Sequence, residues 1–97
     1  MSYDIDIRTI QGIISSAAED IAFRELPEGF TVHADVWADF DTQCFRVIIV
    51  VKDTWSGHWH GETNPFEGSS VDLTTYEILI DMIRCARDRV LLDFLPC

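Results

Sequence analysis

The sequence predicts an α+β fold. Specifically, it predicts a two-layer α/β sandwich in the order α-β-β-β-α, with a three-stranded antiparallel sheet and two helices on one face. Three observations carry this. Residues Phe30 to Lys52, FTVHADVWADFDTQCFRVIIVVK, alternate and then run apolar as strands do. The segments on either side repeat apolar residues every three or four positions. The 97 residues, 47% of them hydrophobic, are enough for one core, so 1–97 reads as a single domain.

The first helix is predicted over Ile7 to Leu26. Ile10, Ile13, Ile14, Ala17, Ile21 and Ala22 form the apolar stripe, with Arg8, Gln11, Ser15, Glu19 and Asp20 opposite. Gly12 weakens the helix without breaking it. Asp4 or Asp6 is a candidate cap, and Pro27 and Gly29 end the helix.

In the first strand Val32, Ala34, Val36, Ala38 and Phe40 face one way, and His33, Asp35, Trp37 and Asp39 the other. Asp41-Thr42-Gln43 is short enough for a hairpin loop. Phe45 to Val51 is apolar on both faces, as a central strand is. Its inward set is Phe45, Val47, Ile49 and Val51, leaving Cys44, Arg46, Ile48, Val50 and Lys52 outward. His58 to Thr63 is predicted as an edge strand. It offers the open face either His58, His60 and Glu62 or Trp59, Gly61 and Thr63. Asn64 to Ser70 reads as a loop from its Pro and Gly content.

The last helix has the strongest signature. Thr74-Thr75-Tyr76-Glu77 matches a capping box with Thr74 at N-cap and Glu77 at N3, and Leu73 and Ile78 are placed as a hydrophobic staple. Tyr76, Leu79, Ile80, Ile83, Ala86, Val90 and Phe94 make a stripe running to Pro96. Arg84, Arg87 and Arg89 lie in its C-terminal half, where the helix dipole favours cations.

Seventeen acids against seven Lys and Arg give a formal net charge of −10. That disfavours direct binding to nucleic acid or to anionic membranes and favours basic protein partners. The start, MSYDIDIR, has no basic n-region or apolar h-region, so no signal peptide is predicted, and no run approaches a membrane span. Cys44, Cys85 and Cys97 have no paired spacing, which fits a reducing, cytoplasmic setting. Cys44 and Cys85 read as small apolar fillers.

Charge is unevenly spread. Between Glu25 and Asp41 there are five acids, and between Asp53 and Asp81 six, with no Lys or Arg in either interval. Beside Trp37, Ile48 and Val50 on an open sheet face, such acids make a contact surface for a basic groove. The expected partner-binding residues are Asp35, Trp37, Asp39, Asp41, Trp55, Trp59, Glu62 and Glu67.

For chemistry, His58-Trp59-His60 with Glu62 is the sharpest local signal. An H-x-H pair on a strand puts both imidazoles on one side, about 7 Å apart at the backbone, and can chelate zinc. A fourth ligand is lacking, because His33 lies about 9–10 Å from the third strand if the second separates them. Polar histidines on a solvated edge strand are the commoner explanation. No cofactor is assigned, and no enzyme. Cys44 lacks the context of a nucleophile, and Gly57, Gly61 and Gly68 lack phosphate-binding spacing.

The α-β-β-β-α order is shared by the double-stranded-RNA-binding domain, whose last helix opens on basic residues. Here that position reads Asp72-Leu73-Thr74-Thr75-Tyr76-Glu77, which repels RNA. The tail from Gly61-Glu62-Thr63 through Pro65 into TTYEILIDMIRCARD resembles the strand, Gly-x-Thr, Pro, helix ending of small phage-encoded α/β sandwich proteins. In size, charge and order the chain resembles small acidic phage proteins of the anti-CRISPR, DNA-mimic kind. Residues Phe66 to Leu73 depart from that pattern by separating Pro65 from the helix, and no site residue is transferred. The resemblance implies a phage or mobile-element inhibitor occupying a basic nucleic-acid-binding surface of a host defence complex, in the host cytoplasm. A self-associating, homodimeric structural or adaptor module is the alternative. A metal-dependent enzyme using His58, His60 and Glu62 is a weaker one.

Overall fold

A computed structural model describes residues 7–39, 44–67 and 72–92, with Asp39, Cys44 and Glu67 described through their backbone alone. The order is α1 (Ile7–Glu25), β1 (Phe30–Asp39), β2 (Cys44–Asp53), β3 (Trp59–Glu67) and α2 (Leu73–Leu92). The sheet is antiparallel in the order β1-β2-β3, and both helices pack against one face. α1 lies over β1, and α2 over β2 and β3.

Strand alternation places the core. Phe45, Val47, Ile49 and Val51 of β2 are fully buried beneath Ile10, Ile14, Ala18 and Ile21 of α1 and Leu79, Ile83, Ala86 and Val90 of α2. The inward set of the central strand is the predicted one. The α1 stripe is rotated slightly from its prediction: Ala18 is buried in the core while Ile13 is 45% exposed. α2 also buries Thr75 and Met82. Cys85 is not a core filler; it faces solvent from α2.

β3 is longer than predicted, because Asn64-Pro65-Phe66-Glu67 continue the strand. Phe66 drives this extension: it is buried and stacks on Phe45 with ring centroids 5.1 Å apart. Pro65 is tolerated because β3 is an edge. Even-numbered residues of β3 bond toward β2, as in the His58 carbonyl accepting from Asp53 N–H, so the nitrogen of Pro65 points outward.

The α2 cap sits two residues earlier than predicted. Asp72 Oδ1 accepts from Thr75 N–H (3.0 Å), and Asp72 N–H donates back to Thr75 Oγ1 (3.3 Å). This is the reciprocal geometry of a capping box, with Asp72 in the place assigned to Thr74. The bond from the Thr75 backbone, reinforced by the Thr75 hydroxyl, holds the Asp72 carboxyl below its ordinary range. Leu73 becomes the first helical residue and is 73% exposed, so it forms no staple. The proposed Asp4 and Asp6 caps, the Asp41-Thr42-Gln43 loop, Phe40, Phe94 and Pro96 lie outside the described residues.

Candidate protein-docking face

The face of the sheet away from the helices is read from the register. Across β1, β2 and β3 its rows are Thr31, Lys52, Trp59; then His33, Val50, Gly61; then Asp35, Ile48, Thr63; then Trp37, Arg46, Pro65. A last row brings the Asp39, Cys44 and Glu67 positions together. Trp37 is 43% exposed and Trp59 64% exposed. They stand at diagonal corners, about 22 Å apart at the backbone by strand spacing and rise. Between them runs the half-buried strip of Ile48 and Val50, lowered at Gly61, where an added Cβ would meet Val50 Cγ2 at 3.6 Å.

The charge on this face is mixed. Asp35 is exposed and lies 3.1 Å from His33 Nε2. Arg46 and Lys52 flank the apolar strip on the central strand, each beside a tryptophan in the register. Glu62 is absent from this surface. Its register partner is Ile49, so it lies on the helix side of β3, where it meets His60 Nε2 at 2.9 Å. The second of the two predicted β3 sets, Trp59, Gly61 and Thr63, is therefore the outward one. Asp41 lies outside the described residues.

Trp55 belongs to a different feature. It sits in the β2–β3 turn, 78% exposed, with its indole against Gly29. Buried Asp53 organises this turn. Its Oδ1 accepts from Trp55 N–H (3.1 Å) and its carbonyl from Gly57 N–H (2.8 Å). Thr54 donates to the Gly29 carbonyl from both its N–H and its hydroxyl, tying this turn to the one that follows α1.

Of the predicted metal set, only His60 and Glu62 are shown in contact. His58 precedes β3, and His60 and Glu62 share the opposite face from the tryptophans. Among the described residues no group of three or more His, Cys, Asp or Glu converges as metal ligands would. Among them, too, no helix is long and apolar enough to cross a membrane.

Two polar devices escaped the sequence reading. Gln11 of α1 reaches the free edge of β1, donating from Nε2 to the Ala34 carbonyl (2.7 Å) and accepting from Val36 N–H at Oε1 (2.7 Å). Its amide completes a hydrogen-bonded ring where another strand would dock. Glu25 gathers two cations from α2. Arg84 grips it through two bonds, Nη2 to Oε1 at 2.8 Å and Nε to Oε2 at 3.1 Å. Arg87 Nη1 reaches both the Glu25 carbonyl and its carboxylate. The Arg84 hydrogen bond is the main influence holding the Glu25 carboxyl below its ordinary range, against the desolvation that raises it. No pattern within either helix signals these contacts, since each depends on how the helices dock.

No protein-family model, curated protein or solved structure matches this chain.

Proposed function

We propose that this protein is a non-enzymatic docking protein whose open sheet face binds a basic, nucleic-acid-handling protein. The observation that carries the proposal is that face itself, uncovered among the described residues, with two solvent-facing tryptophans bracketing an apolar strip in a molecule of net charge −10. Exposed aromatics around a shallow apolar centre are what interfaces use as anchors. The overall negative field speeds encounter with a cationic partner. The resemblance in the β3–α2 tail supplies a setting, an inhibitor of phage or mobile-element type that covers a nucleic-acid groove. Within the predicted binding set, Asp35, Trp37 and Trp59 are the working residues, and Trp55 is held by its own turn.

The test is competition. The immobilised protein captures partners from the source cell, and captured protein is challenged with duplex DNA, RNA or salt. Nucleic acid releases the specific partner, and Trp37→Ala weakens capture by about 2 kcal/mol of binding free energy. Equal capture by wild type and Trp37→Ala, or a complex indifferent to nucleic acid, defeats the proposal.

A second reading, a homodimer through the same face, is favoured by one observation. Arg46 and Lys52 share the face with Asp35, making it partly self-complementary in charge. Light scattering at low micromolar concentration separates the two, because a strict monomer excludes this one.

A further inference from the structure

We propose that the outer edge of β1 at Phe30–Val32, with the cleft beside it, is a second docking site. It takes an extended, basic and apolar segment of a partner protein as a short added strand. The cleft, about 520 Å³ and open to solvent, lies between the C-terminal half of α1 and the start of β1. Glu19, Phe23, Leu26, Glu28, Phe30 and Val32 supply its chemistry. Its lining includes two carboxylates and no Lys or Arg.

Three observations converge here. Phe23 is 90% exposed, more than any other large apolar side chain among the described residues. A phenyl ring held in water at the mouth of an apolar cleft is a surface awaiting cover.

The second observation is in the ladder. The bonds from Gln11 to the Ala34 carbonyl and Val36 N–H identify the even-numbered residues of β1 as those whose backbone polar groups face away from β2. Val32 is the next of that series, beside the cleft and beyond the reach of Gln11. Its N–H and C=O are the pair that strand addition uses.

The third is charge. Glu19 and Glu28 flank the apolar centre, so an acidic segment is repelled and a basic one attracted. An incoming segment lays one apolar side chain against Phe23, Leu26 and Phe30. Lys or Arg side chains two positions to either side, which share that face of the added strand, reach the two carboxylates. The site shares Thr31 alone with the tryptophan-bearing face, uses neither Trp37 nor Trp59, and stands or falls apart from it.

The probe is the capped pentapeptide acetyl-KTVTK-amide, titrated into the full ¹⁵N-labelled chain and followed by amide chemical shifts. Shifts should concentrate around Phe23 and Phe30–Val32. Binding should weaken about tenfold or more for acetyl-ETVTE-amide, for the probe N-methylated at its valine, and for Phe23→Ala/Glu28→Lys. Phe23 is exposed, so that variant keeps its core. Trp37→Ala should bind the probe as wild type does. No binding at millimolar peptide, shifts centred on Trp37 and Trp59, or indifference to N-methylation overturns the proposal. So does binding that emerges only after residues 93–97 are removed, because the occupant is then the chain's own end.

Discussion

Replacing Gln11 by Ala removes both hydrogen bonds that its side chain makes to β1 and leaves the Ala34 carbonyl and Val36 N–H with water alone. Each bond is 2.7 Å long and only partly exposed. Such bonds contribute about 1 kcal/mol each net of solvent competition. Alanine returns a few tenths through its better helix propensity. The expected loss is therefore about 1.5–2 kcal/mol, or roughly 10 °C in Tm for a domain of this size. Urea unfolding followed by circular dichroism should show a lower midpoint at unchanged slope. A second effect accompanies the first. The freed edge is a pairing template, so sedimentation should reveal reversible self-association beyond that of wild type. Ser15→Ala is the control, since it removes only the 2.8 Å bond from Gln11 Nε2 to Ser15 Oγ. A Gln11→Ala protein within about 0.5 kcal/mol of wild type and no more self-associated than it would refute the assignment of Gln11 as an edge clamp.

Other outcomes follow from the turns and ion pairs. Gly29 has φ +87°, and a Cβ there would lie 3.0 Å from Trp55 Cε2. Gly29→Ala should cost about 2 kcal/mol and shift Trp55 fluorescence as the indole is displaced. Gly12, exposed in α1 with nothing within 4 Å of an added Cβ, should behave oppositely, with Gly12→Ala stabilising by about 0.5–1 kcal/mol in the same urea assay. Glu25 and Asp72 both have depressed pKa values, so the stability they confer is present above the ordinary values of 4.5 and 3.8 and is lost as pH falls through their own lower ones. Glu25→Gln and Asp72→Ala should therefore be less stable than wild type at neutral pH. Those gaps should close in acid, each deficit being smaller than that of Gln11→Ala. Urea midpoints measured from pH 7 to pH 2 check the sign.

The sheet was legible because strand faces alternate strictly. With Val32, Ala34 and Val36 inward, strict alternation puts Trp37 on the outer face. The two places where β3 and α2 differ from expectation share a cause. Pro65 is a loop signal only when its missing donor is needed, and at an outer edge it is not. Likewise Thr74–Glu77 satisfied the capping pattern locally, yet Asp72 with Thr75 made the cap two residues upstream. The docking contacts were out of reach for a different reason. Nothing about Gln11 within its own helix distinguishes it from other polar residues. Its role arises because α1 lies over β1 and brings its amide to that edge. Phe23 was the one available hint, a large apolar residue on the polar side of an otherwise regular stripe.

These devices narrow how the molecule can meet another. One face of the sheet is covered by helices; Gln11 blocks part of the β1 edge, and Pro65 removes a donor from the β3 edge. Runaway sheet extension is thereby discouraged, while the remaining face is left uncovered among the described residues. If that face existed only to be solvated, Trp59 would be a costly choice: at 64% exposure it buries little, and a threonine would suit an edge strand as well. Trp59→Thr should consequently leave stability within about 0.5 kcal/mol of wild type while weakening partner capture or face-to-face dimerisation about tenfold or more. A loss of stability well above 1 kcal/mol would mean that the indole serves the fold through contacts its exposure does not reveal. The step from an exposed tryptophan to a docking surface would then fail at Trp59.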